Sequence, residues 1–264
     1  MSGGLQALVR GLLDRAGYVL WKRDYLRYGV LPFNDIARLS RHFDWPIRTF
    51  FDVGANIGQT SREALVAFPE ARIFAFEPHA DSYARLASGI SDRRFSAHNV
   101  ALGNSNAVVP LYEYGKEGDG SLINSLVPNA RFPTHFGYKP VERSATCVTL
   151  DRFCEESGLG SIDVLKLDTE GADLFVLEGA GRMLAEERIR FIYTEFNDLK
   201  PRAGVTGGSL MPIADFIAPF GFRFVATYTD YITPGKDIFV CSNALFCSTT
   251  RSGESSTLAG RSVA

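Results

Sequence analysis

The segment Phe51-Asp-Val-Gly-Ala-Asn-Ile-Gly-Gln-Thr-Ser61 constrains this chain more than any other. Before it, Arg48–Val53 (RTFFDV) is a short aromatic and β-branched run, the pattern of a buried strand. After it, Gln59–Phe68 has helical spacing at Ser61, Ala64, Leu65 and Phe68, and Pro69 stops it. Strand, glycine turn and helix open a parallel α/β unit. The pattern then repeats. Arg72–Phe76, Phe95–Val100, Ile162–Leu167 and Arg190–Thr194 read as further strands. Helices are expected after Pro78, over Asp173–Leu184 and over Met211–Pro219. Phe222–Thr227 and Ala244–Cys247 close the series. Strands alternating with helices predict a mostly parallel sheet covered on both faces, with ligands at the carboxyl ends of its strands.

The 264 residues suffice for one large α/β domain, and a 45% apolar, 22% charged composition is that of a globular chain. Residues 1–46 read as an N-terminal helical extension and 47–247 as the main domain. Residues 115–143 form a polar, turn-rich, lid-like insertion, and 248–264 a disordered tail. A net charge of −2 argues against a broad nucleic-acid surface. The four cysteines include no C-x-x-C pair, so reduced thiols are expected. The longest stretch free of Asp, Glu, Lys and Arg, Phe95–Tyr112, carries too many polar residues to span a bilayer. Arg10, Asp14 and Arg15 interrupt any signal-like apolar run, so the expected compartment is cytoplasmic. Peripheral membrane contact through the N-terminal helices stays open, with Trp21-Lys22-Arg23 suited to a membrane surface.

Gly54 and Gly58 allow a sharp turn and close approach of a ligand, and the helix beyond offers unpaired N–H groups. The spacing is G-x-x-x-G. Asn56 stands where a dinucleotide fingerprint has its second glycine and would crowd a pyrophosphate, which disfavours NAD and FAD. A smaller anionic end fits better, such as the methionyl carboxylate of S-adenosylmethionine, with Asp52 placed to pair with its ammonium group. Glu77 lies 23 residues beyond Gly54 at the end of the second strand, the spacing of an acid that binds ribose hydroxyls. Val100, Ala101 and Leu102 lie at the end of the third strand, where an adenine ring would lie.

These residues resemble the FkbM family of S-adenosylmethionine-dependent methyltransferases. The matching pieces are FDVGANIGQTS (51–61), FAFEP (74–78), HNVALGN (98–104), VTLDRF (148–153), LKLDTEGADLFVLEGA (165–180) and IYTEF (192–196). Asp173 departs from the glutamate more usual in the family. The resemblance implies a Rossmann-like class I methyltransferase fold, with a seven-stranded sheet whose last strand runs antiparallel. It also implies O-methylation of a hydroxyl on a sugar, glycolipid, polysaccharide or secondary metabolite.

Such a transfer needs the acceptor oxygen aligned with the methyl group and a base to take its proton. Asp168 and Glu195, at the ends of the fourth and fifth strands, are the candidate catalytic residues. Glu170 either binds acceptor or caps a helix. His135, in the lid beside Phe132, Phe136 and Tyr138, is a candidate for the acceptor side. Asp168, Glu195 and Asn197 also suit a divalent cation, which leaves a metal-assisted small-molecule O-methyltransferase as an alternative. A non-catalytic S-adenosylmethionine-binding module is another. The oligomeric state is unspecified by the sequence.

Overall fold

The computed structural model describes residues 3–18, 26–115, 123–128, 137, 139–201, 207–233 and 239–249. Two helices come first, α1 (Gly3–Arg15) and α2 (Pro32–Phe43). An alternating run follows: β1 (Thr49–Val53), α3 (Gln59–Ala67), β2 (Arg72–Phe76), α4 (Ala80–Gly89) and β3 (Phe95–His98). Four strands then succeed one another, β4 (Ala101–Gly103), β5 (Ala107–Gly115), β6 (Ile123–Ser125) and β7 (Lys139–Thr149). The remainder is α5 (Leu150–Glu156), β8 (Ile162–Leu167), α6 (Asp173–Glu178), α7 (Gly181–Ala185), β9 (Ile189–Phe196), α8 (Leu210–Ile217), β10 (Phe222–Thr233) and β11 (Phe239–Ser248).

The main sheet has seven strands in the order β10-β11-β9-β8-β1-β2-β3. β3, β2, β1, β8 and β9 are mutually parallel, while β11 runs antiparallel to both β9 and β10. This is the expected sheet, with its last strand reversed. The chain leaves β1 in one direction through β2 and β3 and returns on the other side at β8. The carboxyl ends of β1 and β8 therefore flank the switch point where open α/β sheets bind ligands.

The strands are apolar throughout because both faces are covered. Phe51, Val53, Leu165 and Leu167 enter one core together with Val176 and Met183 of the helices. Phe50, Ile73, Val164 and Phe191 enter the other, under α2 and α3. Phe33 of α2 packs on Phe50 and Phe68, with ring centroids 5.6 and 5.5 Å apart. Buried Asp35 fastens α2 to β10, accepting a 2.9 Å hydrogen bond from the Tyr228 hydroxyl. The N-terminal extension is thus partly a wall of the main core, whereas α1 leaves Leu8, Val9 and Leu12 exposed. No helix of the described residues is long and apolar enough to cross a membrane.

The third strand stops at His98, two residues earlier than expected, because the Asn99 side chain donates to the Glu77 and Pro78 carbonyls and turns the chain. Beyond it lies a second sheet that the sequence reading did not anticipate, in the order β4-β7-β5-β6. The end of β5, all of β6 and the start of β7 fall inside the stretch expected to be a lid. Residues 116–122, 129–136 and 138 of that stretch, and 250–264 of the expected disordered tail, lie outside the described residues. β10 and β11 are also longer than expected and form a hairpin that extends past the ends of β8 and β9.

Candidate active site

The glycine turn after β1 is built against the turn after β8. Gly54 has φ +76°, and a Cβ there would lie 1.8 Å from the Asp168 carbonyl oxygen. Only glycine permits that approach. Asn56 follows in the left-handed region at φ +51°, which asparagine tolerates better than most residues. Its backbone N–H donates to Glu77 Oε2 at 2.9 Å, and the His79 N–H donates to Oε1 at 2.9 Å. Burial raises the Glu77 pKa, and these two backbone bonds partly offset the rise. A carboxylate has about four acceptor directions. Two are occupied and two remain, the number a vicinal diol requires.

Beside this clamp lies a cleft of about 590 Å³, its open mouth included. Its floor is Val53, Gly54, Asn56 and Phe76, and Glu77 and Pro78 form one side. Val100, Ala101 and Leu102 supply an apolar wall. Leu111, Asn124 and Leu126 reach in from the second sheet, and Asp168, Thr169 and Glu170 close the far end. The second sheet also steadies the β8 turn, because the Ser125 hydroxyl donates to the Glu170 carbonyl at 3.0 Å. Glu170 and Gly171 make that turn with φ +54° and +105°.

The far end of the cleft is strongly charged. Lys166 Nζ lies 3.0 Å from Asp52 Oδ1 and 3.2 Å from Asp168 Oδ2. It also donates to the Gly54 carbonyl at 3.3 Å. Burial disfavours its charge, but Asp168 and Asp52 outweigh that and hold the ammonium protonated. Burial alone would raise the Asp168 pKa. The Lys166 charge and a hydrogen bond with Glu195 bring it below the ordinary value. Glu195 shifts the opposite way, well above the usual carboxylate range, through burial and the charges of Asp168 and Glu170. The two acids divide their roles: Asp168 is the anion, and Glu195 is the neutral acid that donates to it. Carboxylate oxygens of Asp168, Glu170 and Glu195 lie within 4.8 Å of one another, close enough to ligate one cation. The Lys166 ammonium already supplies positive charge at Asp168.

Gly54, Asn56, Glu77 and Ala101, expected at the ligand, all line the cleft, as do Asp168 and Glu170. Glu195 stands behind them. Two expected ligand residues are set back from the cleft. Asp52 is fully buried, with its carboxylate between Lys166 and the Ser61 hydroxyl, which donates to it at 2.6 Å. It is therefore not placed to take a ligand ammonium group. Gly58 is needed for packing, since a Cβ there would meet Leu86 and Ile90 at 2.7 and 2.8 Å. His135, Phe132, Phe136 and Tyr138 lie outside the described residues. Lys166 was missed, although a lysine within the otherwise buried strand IDVLKL is itself a signal of a buried partner. The four cysteines are free, as expected, and all are buried.

A model of the Methyltransferase FkbM domain matches residues 52–224. The 2-O-methyltransferase NoeI of Sinorhizobium fredii is 29% identical over 159 residues, covering 58% of this chain and 65% of NoeI. The hexuronic acid methyltransferase AglP of Haloferax volcanii is 31% identical over 166 residues, covering 62% of each chain. The chain spans less than two thirds of the length of these curated relatives. Among solved structures, magnesium protoporphyrin IX methyltransferase ChlM of Synechocystis PCC 6803 aligns at 11% identity with a TM-score of 0.44, covering 92% of this chain and 99% of that one. With the family match spanning well over half of its length, and the strand order and glycine turn in place, the chain belongs to the FkbM methyltransferase domain family.

Proposed function

We infer that the protein is an S-adenosylmethionine-dependent O-methyltransferase whose acceptor is a hydroxyl of a carbohydrate. The observation that carries this reading is the Glu77 carboxylate, clamped by the Asn56 and His79 N–H groups, at one side of a cleft that ends in Asp168 and Glu170. The carbohydrate class rests on NoeI and AglP, both named as methyltransferases and one for a hexuronic acid.

When bound, S-adenosylmethionine supplies a methyl group already activated on a sulfonium. Glu77 would hold the ribose hydroxyls, Val100, Ala101 and Leu102 the adenine face, and the turn at Gly54–Asn56 the amino-acid end. Asp168 would take the acceptor proton. A base of low pKa is adequate here, because the acceptor oxygen becomes strongly acidic as its new bond to carbon forms. Lys166 and Glu195 keep Asp168 anionic and oriented. Alignment of acceptor and donor contributes the larger share, about 7–11 kcal/mol in favourable cases.

Incubation with methyl-labelled S-adenosylmethionine and polysaccharide or glycolipid extracts tests the reading. Label recovered in an O-methyl sugar after hydrolysis supports it. Tight cofactor binding with no transfer to any extract would mark a non-catalytic module. The carboxylate cluster favours a second, metal-assisted reading, which requires turnover to stop on adding a chelator and to return with a divalent cation.

A further inference from the structure

The second sheet brings a polar group to the cleft that the reading above does not use. Leu111 of β5 and Asn124 and Leu126 of β6 and its following residue line the cleft from that side. The two leucines suit the face of an aromatic ring, and Asn124 is the exception. Its Oδ1 atom is shielded from solvent and has no hydrogen-bond partner among the described residues. A buried acceptor left unpaired is costly, so such an atom in the lining of a site marks where an occupant supplies the donor.

The neighbours of Asn124 place it at the nucleoside end of the cleft. Across the second sheet it pairs with Glu113 of β5. Glu113 Oε1 stands 3.9 Å from His79 Nε2, and the His79 N–H holds the Glu77 carboxylate. Along the chain, strand alternation puts Leu126 on the same face as Asn124. Leu126 Cδ1 lies 3.7 Å from where a Cβ at Gly103 would stand, directly after the Ala101–Leu102 wall. Ser125, between them, is turned the other way and donates to the Glu170 carbonyl. These ties hold Asn124 on the side of the Glu77 clamp and the apolar wall.

Matching donors to acceptors selects the partner. The nucleoside half of S-adenosylmethionine donates through its ribose hydroxyls and the 6-amino group of adenine. Glu77 keeps free acceptor directions for the hydroxyls after taking the Asn56 and His79 N–H groups. The 6-amino group is the donor that remains, and Asn124 Oδ1 is an unmatched acceptor at that end of the cleft. Thr169 Oγ1 is also buried without a partner among the described residues, but it stands with Asp168 and Glu170 at the far end. It does not compete for the base.

We propose that Asn124 reads the adenine of the cofactor by accepting a hydrogen bond from its 6-amino group, with Leu111 and Leu126 covering the ring. The second sheet is then part of the cofactor site and sets which purine it takes. This rests on the S-adenosylmethionine reading and adds a specificity-determining residue to it.

The test titrates the full chain by calorimetry with S-adenosylhomocysteine and with its 6-deamino analogue, in which unsubstituted purine replaces adenine. The parent protein is expected to bind the analogue about tenfold more weakly, since the buried Oδ1 then stays unpaired. Asn124→Ala weakens S-adenosylhomocysteine about tenfold and leaves the affinity for the analogue unchanged. Asn124→Asp keeps an acceptor oxygen and recovers most of the preference for the amino form. Equal affinity of the parent for both ligands overturns the proposal, and that result needs no variant. Equal weakening of both ligands in Asn124→Ala also overturns it, because the side chain would then act elsewhere on the ligand or on the shape of the cleft. Failure of the parent to bind S-adenosylhomocysteine at all would instead sink the cofactor reading.

Discussion

Replacing Asp173 by Asn should stabilise the protein at neutral pH, by an amount that follows from its surroundings. Asp173 is 2% exposed at the start of α6, and its pKa is pushed up to about 6. Burial is the largest cause and the charge of Asp168 the next, with backbone hydrogen bonds from Thr169 and Asp173 offsetting part of the rise. In the unfolded chain the group titrates at its ordinary value of 3.8. Between these values the native state binds more protons than the unfolded state, so stability falls as pH rises through this window. Above about pH 6 the cost is complete, at roughly 3 kcal/mol for a shift of about two units. Asparagine keeps an oxygen for the Thr169 N–H, now 3.3 Å from Asp173 Oδ1, and carries no charge. Urea denaturation from pH 4 to 8 measures the difference between Asp173→Asn and the parent chain. It should be near zero at pH 4 and grow to about 3 kcal/mol in favour of the variant at pH 8. A difference independent of pH, or a loss of stability at pH 8, would refute the electrostatic reasoning.

Lys166→Met leaves the buried Asp52 carboxylate, and Asp168 at the cleft, without their cation and should cost about 3 kcal/mol in thermal or urea unfolding, part of which Asp52→Asn restores. Gly54→Ala forces the β1 and β8 turns apart at the Asp168 carbonyl, so cofactor binding should be abolished in calorimetry, and unchanged binding would contradict the packing account. Asp168→Asn should lower kcat by about 10²–10⁴-fold. Glu195→Gln keeps a neutral donor and should lose less than about tenfold in the same steady-state assay. The reverse ranking would move the base to Glu195.

The sheet was legible because its strands are buried on both faces and bounded by turn residues. RTFFDV, RIFAF and IDVLKL each enter two cores, and nothing competes with the strand reading. The place of Glu77 beside the glycine turn was legible from its spacing after Gly54, while the N–H groups of Asn56 and His79 that hold it were not. The second sheet was not, because β7 is exposed along most of its length and its start, like β6, falls within 115–143, the stretch read as a polar, lid-like insertion. Its alternation is weak, with Ala145 and Cys147 the buried positions of β7. Some motif positions proved to be packing devices. Gly179 exists because a Cβ there would lie 2.0 Å from the Gly103 carbonyl, so two of the family-like segments meet at their glycines. Asp52 looked like a ligand residue because the sequence places it at the strand end, but it cannot reveal that Lys166 sits beside it at the same height on β8.

Calorimetric titration of S-adenosylhomocysteine into the full chain and into Glu77→Gln tests the central claim most directly. The account predicts a single site in the parent protein, and weakening by about 10- to 100-fold in the variant, the worth of a charge-assisted hydrogen bond. No binding to the parent, or equal affinity in Glu77→Gln, would contradict it.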